Sequence, residues 1–290
     1  MISDLRPQPH RFYDGGTDSE PPAPASAPRI VLERDVQGER ELFAMMRRIA
    51  YRDEELGELL VPADLRSFRT DLTSVPTLFT WLVPKTGSIL PPALLHDGLV
   101  GAVPPAQDYV GPPIDRPTAD RVLRRAMRDT HVGVVRRWLV WAAVTLATIH
   151  VGTPSWSRWR HLRYAAVADA TLAVIATLGV IATLDLFDVV DWLPWMGDRP
   201  WWLELVGGLA GAVVIPLLLG LTWGRFAAAG AIAGIALAVL LHVTAVLAAL
   251  TLLYQVVERL ARRTPVAVAT AGGVVLLSCL VLTALLVASS

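Results

Sequence analysis

The chain has 290 residues, 53% of them hydrophobic and only 18% charged, with a mean hydropathy of +0.47. A soluble domain carries about 25% charged residues, so the composition excludes an ordinary soluble protein. The formal charge of zero, 26 basic against 26 acidic side chains, excludes the basic surface of a nucleic-acid binder. Only 12 of the charged side chains lie after residue 164, which sets a charge-rich N-terminal half (net +2) against an apolar C-terminal half (net −2).

Residues 1–28 are polar and proline-rich, ending in Pro21-Pro22-Ala23-Pro24-Ala25-Ser26-Ala27-Pro28, and read as a disordered tail. Met1 to Glu20 contains no apolar run of signal-peptide type, so the N-terminal half is expected to stay in the cytoplasm. A soluble domain is expected over 29–152. Ile30-Val31-Leu32 reads as a short strand, Glu41 to Ile49 as strand or helix, and Tyr51 and Leu59-Leu60-Val61 as further strand pieces. Pro62 opens an irregular stretch to Asp71. One helix is expected from Pro91 to Val100, with a proline-primed start, and a second from Pro117 to Asp129, capped by Asp115 or Thr118. Between them Ala102 to Pro113 holds four prolines and one glycine and reads as a loop.

Arg136 to Val151 is a third helical stretch, whose short apolar run suits a buried or interfacial helix better than a span. Residues 153–164 mix Arg158, Arg160 and Arg163 with Trp156, Trp159 and Tyr164, the composition of a membrane-interface linker. Over 165–290 four segments are long enough to cross about 30 Å of hydrocarbon: Ala165 to Phe187, Trp201 to Thr222, Phe226 to Tyr254 and Pro265 to Ala288. The expected architecture is a small α+β soluble domain followed by an all-α transmembrane bundle of about four spans. Arginines before the first span place the domain on the cytoplasmic side of an inner membrane, although Arg259, Arg262 and Arg263 break that pattern in the last loop. Gly230 and Gly234 make a small-xxx-small face suited to close helix packing or to a homo-oligomer. Cys279, the single cysteine, permits no intramolecular disulfide and no cysteine metal cluster, and one lysine (Lys85) against 25 arginines points to GC-rich coding.

Three pieces carry polar groups where chemistry could sit. They are Arg69-Thr70-Asp71-Leu72-Thr73-Ser74-Val75-Pro76, Leu94-Leu95-His96-Asp97-Gly98, and Thr118-Ala119-Asp120-Arg121. Asp120 shares a helical face with Leu123 and Met127, and His96 shares one with Pro92, Leu99 and Val100. A carboxylate on a buried face needs a partner, and a histidine on a neighbouring helix is a natural one. Such a pair fixes the imidazole tautomer and raises its basicity, as a general base requires, but it also serves as a plain hydrogen bond between two helices. Asp97 lies about 100° around the helix from His96, out of reach of that ring, and could face a divalent cation such as calcium with Asp71 as a second oxygen ligand. Ser74 lacks a nucleophile-elbow setting, and Asp71 and Ser74 also suit a turn before Pro76. His242, inside a span near Thr244, suits a bond between helices.

At these residues the chain resembles the phage-and-bacterial domain of unknown function (DUF) family 1353, over about Arg29 to Gly152. The T-D-x-x-S-x-P loop, the L-H-D helix and the A-D helix carry the resemblance. The family has no settled activity to carry over; its phage context leads to the expectation of a membrane adaptor or anchor for phage-tail-like (contractile injection) machinery, with the bilayer and tail-like assembly proteins as partners. The His-Asp helix and the later Ala-Asp helix are also similar to the phospholipase A2 motif. That likeness implies His96 as the water-activating base, Asp120 as its support and Asp97 as a calcium ligand, in a membrane-tethered hydrolase of lipid or envelope bonds. The chain departs from that motif at Val100, where the pattern has a tyrosine, and it lacks the glycine-rich calcium loop and the disulfide framework.

Overall fold

The computed structural model describes residues 11–37, 40–72, 86–101, 107–197 and 199–263. The N-terminal half begins with six short strands: β1 (Phe12–Asp14), β2 (Leu32–Gln37), β3 (Arg40–Met45), β4 (Ile49–Asp53), β5 (Gly57–Val61) and β6 (Arg69–Thr70). They form two antiparallel three-stranded sheets, ordered β1-β4-β5 and β2-β3-β6. Helices follow: α1 (Leu90–Gly101), α2 (Arg116–Asp129), α3 (Val134–Val151), α4 (Arg158–Leu186), α5 (Trp201–Gly220) and α6 (Ala227–Arg263). The architecture is therefore α+β with a helical C-terminal part.

Two expectations need correcting in the N-terminal half. The tail expected over 1–28 is not wholly without structure, because Phe12–Asp14 is a strand paired with Ile49–Tyr51. Phe12 and Tyr13 are both buried there, supplying apolar area that a count of prolines conceals. The stretch expected to be irregular up to Asp71 contains β6, whose Arg69 and Thr70 pair with Ala44 and Phe43. The apolar residues from Glu41 to Ile49 resolve into the end of β3 and the start of β4, not a helix.

Sheet β1-β4-β5 presents Phe12, Ile49, Tyr51, Leu59 and Val61 to a core completed by Leu94, Leu95 and Leu99 of α1 and by Ala119, Val122 and Ala126 of α2. Burying each of the larger side chains contributes about 1.5–3 kcal/mol. Helix α1 sits tight on β5 at Gly98, where a Cβ would come within 2.4 Å of Val61 Cγ1. Prolines 91 and 92 occupy its first turn, where their missing N–H groups cost nothing. Helix α2 starts at Asp115, whose carboxylate accepts from the Thr118 N–H at 3.0 Å. Its apolar residues Ala119, Val122, Leu123, Ala126 and Met127 are all buried.

Helix α3 is covered on two flanks. On one, Val140 and Val144 pack on Leu123 and Met127 of α2. On the other, Ile149 meets Ala168 of α4 together with Trp223 and Phe226, while Trp141 and Ala142 meet Ala229 of α6. Helix α4 begins at Arg158, inside the stretch expected to be a linker, because Ser157 caps it by accepting from the Arg160 N–H at 3.3 Å. A first compact unit accordingly does not stop at Gly152 but extends to Val239, and a second begins at Leu240.

Three helical stretches among the described residues are long and apolar enough to cross a membrane: Val134–Val151, Arg158–Leu186 and Trp201–Arg262. The last is broken by a 3-10 turn over Leu221–Phe226, where Gly224 takes φ 59° and ψ −118°, a conformation only glycine adopts readily. The expected span Pro265 to Ala288 and Cys279 lie outside the described residues. The small residues of α6 are used within the chain: a Cβ on Gly230 would meet the Trp223 ring at 2.6 Å, and one on Gly234 would meet Ile175 Cδ1 at 2.7 Å. Asp185, near the end of α4, is buried and accepts from the N–H groups of Trp192 and Leu193, both at 3.0 Å.

Candidate functional site

Helices α1 and α2 pack side by side and bring His96 and Asp120 together. His96 Nε2 lies 2.9 Å from Asp120 Oδ1, a direct hydrogen bond. The Asp120 side chain keeps 2% of its surface exposed and the imidazole 13%. Asp120 is thus the inner, sealed member of the pair and His96 the outer one. Asp120 Oδ2 is buried with no hydrogen-bond partner among the described residues. With Asp120 ionised the carboxylate can only accept, so Nε2–H donates to it and Nδ1 is left as the other ring nitrogen.

Asp97 faces elsewhere, as the helical offset demands. Its Oδ2 accepts from the Thr70 hydroxyl at 2.6 Å, and the same hydroxyl accepts from the Leu72 N–H at 2.9 Å. Burial pushes the Asp97 carboxyl above the usual carboxylate range, and the neighbouring Asp71 adds to that; the Thr70 bond and His96 oppose it. Asp71 is exposed at the end of β6. The end of β6, the middle of α1 and the first turns of α2 therefore converge. Ser74 and the rest of that loop up to Lys85 lie outside the described residues.

Asp71, expected to join Asp97 as an oxygen ligand for a divalent cation, lies within electrostatic reach of it. A calcium ion takes six to eight oxygens from ionised or carbonyl donors. Asp97 accepts from the Thr70 hydroxyl, and among the described residues no group of three or more histidine, cysteine, aspartate or glutamate side chains is placed to hold a metal ion.

Three features escaped the sequence reading. Thr70 is the partner of Asp97, and the only signal for it is its place beside Asp71. Arg125 reaches Asp53 at 3.3 Å and also binds Glu55, tying α2 to the end of β4. Tyr51 donates to Asp129 at 2.8 Å from inside the sheet. Pairs separated by 70 or more residues leave no mark in local spacing.

The site's motif-bearing elements coincide with a known sequence family. Residues 43–144 match the family of proteins of unknown function DUF1353. The DUF1353 match takes in β4, β5, β6, α1 and α2 complete, and with them Asp71, His96, Asp97 and Asp120. It ends within α3 and leaves α4 to α6 outside. No curated protein and no solved structure matches the chain.

Proposed function

We propose that the chain is a membrane-anchored hydrolase in which His96 is the general base, oriented by Asp120. The observation that supports this reading is the 2.9 Å bond between a partly exposed imidazole and a sealed carboxylate, with Asp97 and Thr70 beside them. Asp120 holds the ring by Nε2 and stabilises the imidazolium as it forms, while Nδ1 takes a proton from water attacking an ester or amide carbonyl. The anchor is read as α4, α5, α6 and a fourth span over 265–288, with the N-terminal domain on the cytoplasmic side.

The test is turnover of nitrophenyl esters and phospholipids by the purified full chain. His96→Ala should lower turnover about 100-fold or more, the scale of general-base catalysis, and Asp120→Asn should do the same with the fold intact. Unchanged turnover in both variants overturns the proposal. It would leave His96–Asp120 as a hydrogen bond stapling α1 to α2, in a membrane adaptor for phage-tail-like machinery whose partners a pull-down from membranes would recover.

A further inference from the structure

Apart from Arg116, which donates to the Val100 carbonyl at 3.1 Å, the arginines of α2 divide into two sets. Those facing the sheets have carboxylate partners: Arg125 with Asp53 and Glu55, Arg128 with Glu54 and Asp129. Those facing the start of α3 have none among the described residues. Arg121 bonds only the Thr118 hydroxyl at 3.2 Å. Arg124 lies over the rings of Trp138 and Trp141, 4.3 and 4.7 Å from their centroids. Burial holds the Arg124 guanidinium below its ordinary pKa, and so does the like charge of Arg125, Arg137 and Arg121, which places these groups within electrostatic reach of one another.

The turn between α2 and α3 adds an apolar tip to this charge. Val134 and Val135 open α3 with 61% and 73% of their surface exposed, directly before Arg136 and Arg137. Exposed β-branched side chains at a helix start gain nothing from water, and clustered guanidiniums without carboxylates repel one another. One surface relieves both: a layer of phosphates with hydrocarbon beneath it.

We infer that Val134 and Val135, with Arg136 and Arg137 directly after them and Arg124 within electrostatic reach of Arg137, form a docking tip for the headgroups of an anionic phospholipid bilayer. The valines enter the interface and the guanidiniums bind lipid phosphate, which seats the α1–α2 face of the domain against the membrane. The inference does not depend on the chemistry at His96.

The test uses the full chain in lipid nanodiscs, carrying Cys279→Ser and Val134→Cys with an environment-sensitive fluorophore on the new cysteine. Emission should move to the blue in discs of phosphatidylcholine with phosphatidylglycerol, relative to phosphatidylcholine alone. Arg136→Gln with Arg137→Gln should abolish the shift while the far-ultraviolet circular dichroism stays unchanged. A label at Arg66→Cys, an exposed position on the loop before β6, should show no lipid dependence. Water-like emission in both lipids overturns the inference. Equal burial in both also overturns it, since insertion would then need no anionic headgroup. So does a shift produced by inorganic phosphate in phosphatidylcholine discs, which would make the cluster a site for a free anion.

Discussion

His96, Asp97 and Asp120 show how three neighbouring polar side chains receive different environments from one backbone. Asp120 is sealed and spends one oxygen on His96. The Asp97 carboxyl is raised by its burial and accepts from the Thr70 hydroxyl. The sign of that shift makes a prediction. A carboxyl raised in the folded state costs stability at neutral pH, and the cost disappears as pH falls below the unfolded value of about 3.9. Asp97→Asn keeps an oxygen for the Thr70 hydroxyl and removes the charge, so its thermal midpoint at pH 7 should exceed that of the natural chain; an unchanged or lower midpoint contradicts this. Asp14 has the opposite sign. Its oxygens accept from Arg47 Nε at 3.1 Å and Nη2 at 2.8 Å, which lowers its carboxyl against the opposing effect of burial. The resulting stabilisation is complete above the ordinary carboxylate range and is lost as pH falls through the depressed folded value. Thermal melts of Asp14→Asn and the natural chain should differ at pH 7, and the difference should begin to shrink only as pH falls below about 4.

Among the elements, α1 and α2 were readable because their signals are local. Prolines 91 and 92 mark one start, Asp115 caps the other, and the apolar positions of α2 recur at helical spacing. Strand β1 was not readable, since three residues between polar stretches have no period to detect. What holds the readable elements together is less visible still. Gly98 is an ordinary small residue in the sequence, but in the fold it sets how closely α1 lies on Val61. Gly98→Ala should destabilise the chain: overpacking costs about 1–3 kcal/mol, against a gain of about 1 kcal/mol in helix propensity. Pairing it with Val61→Ala should recover part of the loss in a double-mutant cycle, and additive losses would refute the contact. Gly234 plays the same part between α6, Ile175 and Pro216, so Gly234→Leu should lower the thermal midpoint of the detergent-purified chain.

For the molecule as a whole, helix α3 joins what composition separates. The drop in charge after residue 164 suggested a boundary near Gly152, yet α3 packs on α2 with one flank and on α4 and α6 with another. A chain cut after Gly152 would uncover Trp141, Ala142 and Ile149, so it should self-associate in size-exclusion chromatography without detergent, whereas independent domains would give a monomer. The full chain should stay in the membrane pellet after alkaline carbonate extraction.

By itself the sequence determined the division into an α+β part and apolar helices, the helices α1 and α2, and the three polar motifs, because charge density, caps and apolar period are local quantities. Only the tertiary structure decided that His96 meets Asp120, that Asp97 meets Thr70, that Phe12–Asp14 joins a sheet, and that Gly230 and Gly234 pack within the chain. Each of those depends on which distant residue lies opposite. That is set by the burial of whole faces and leaves no trace in the spacing along the chain.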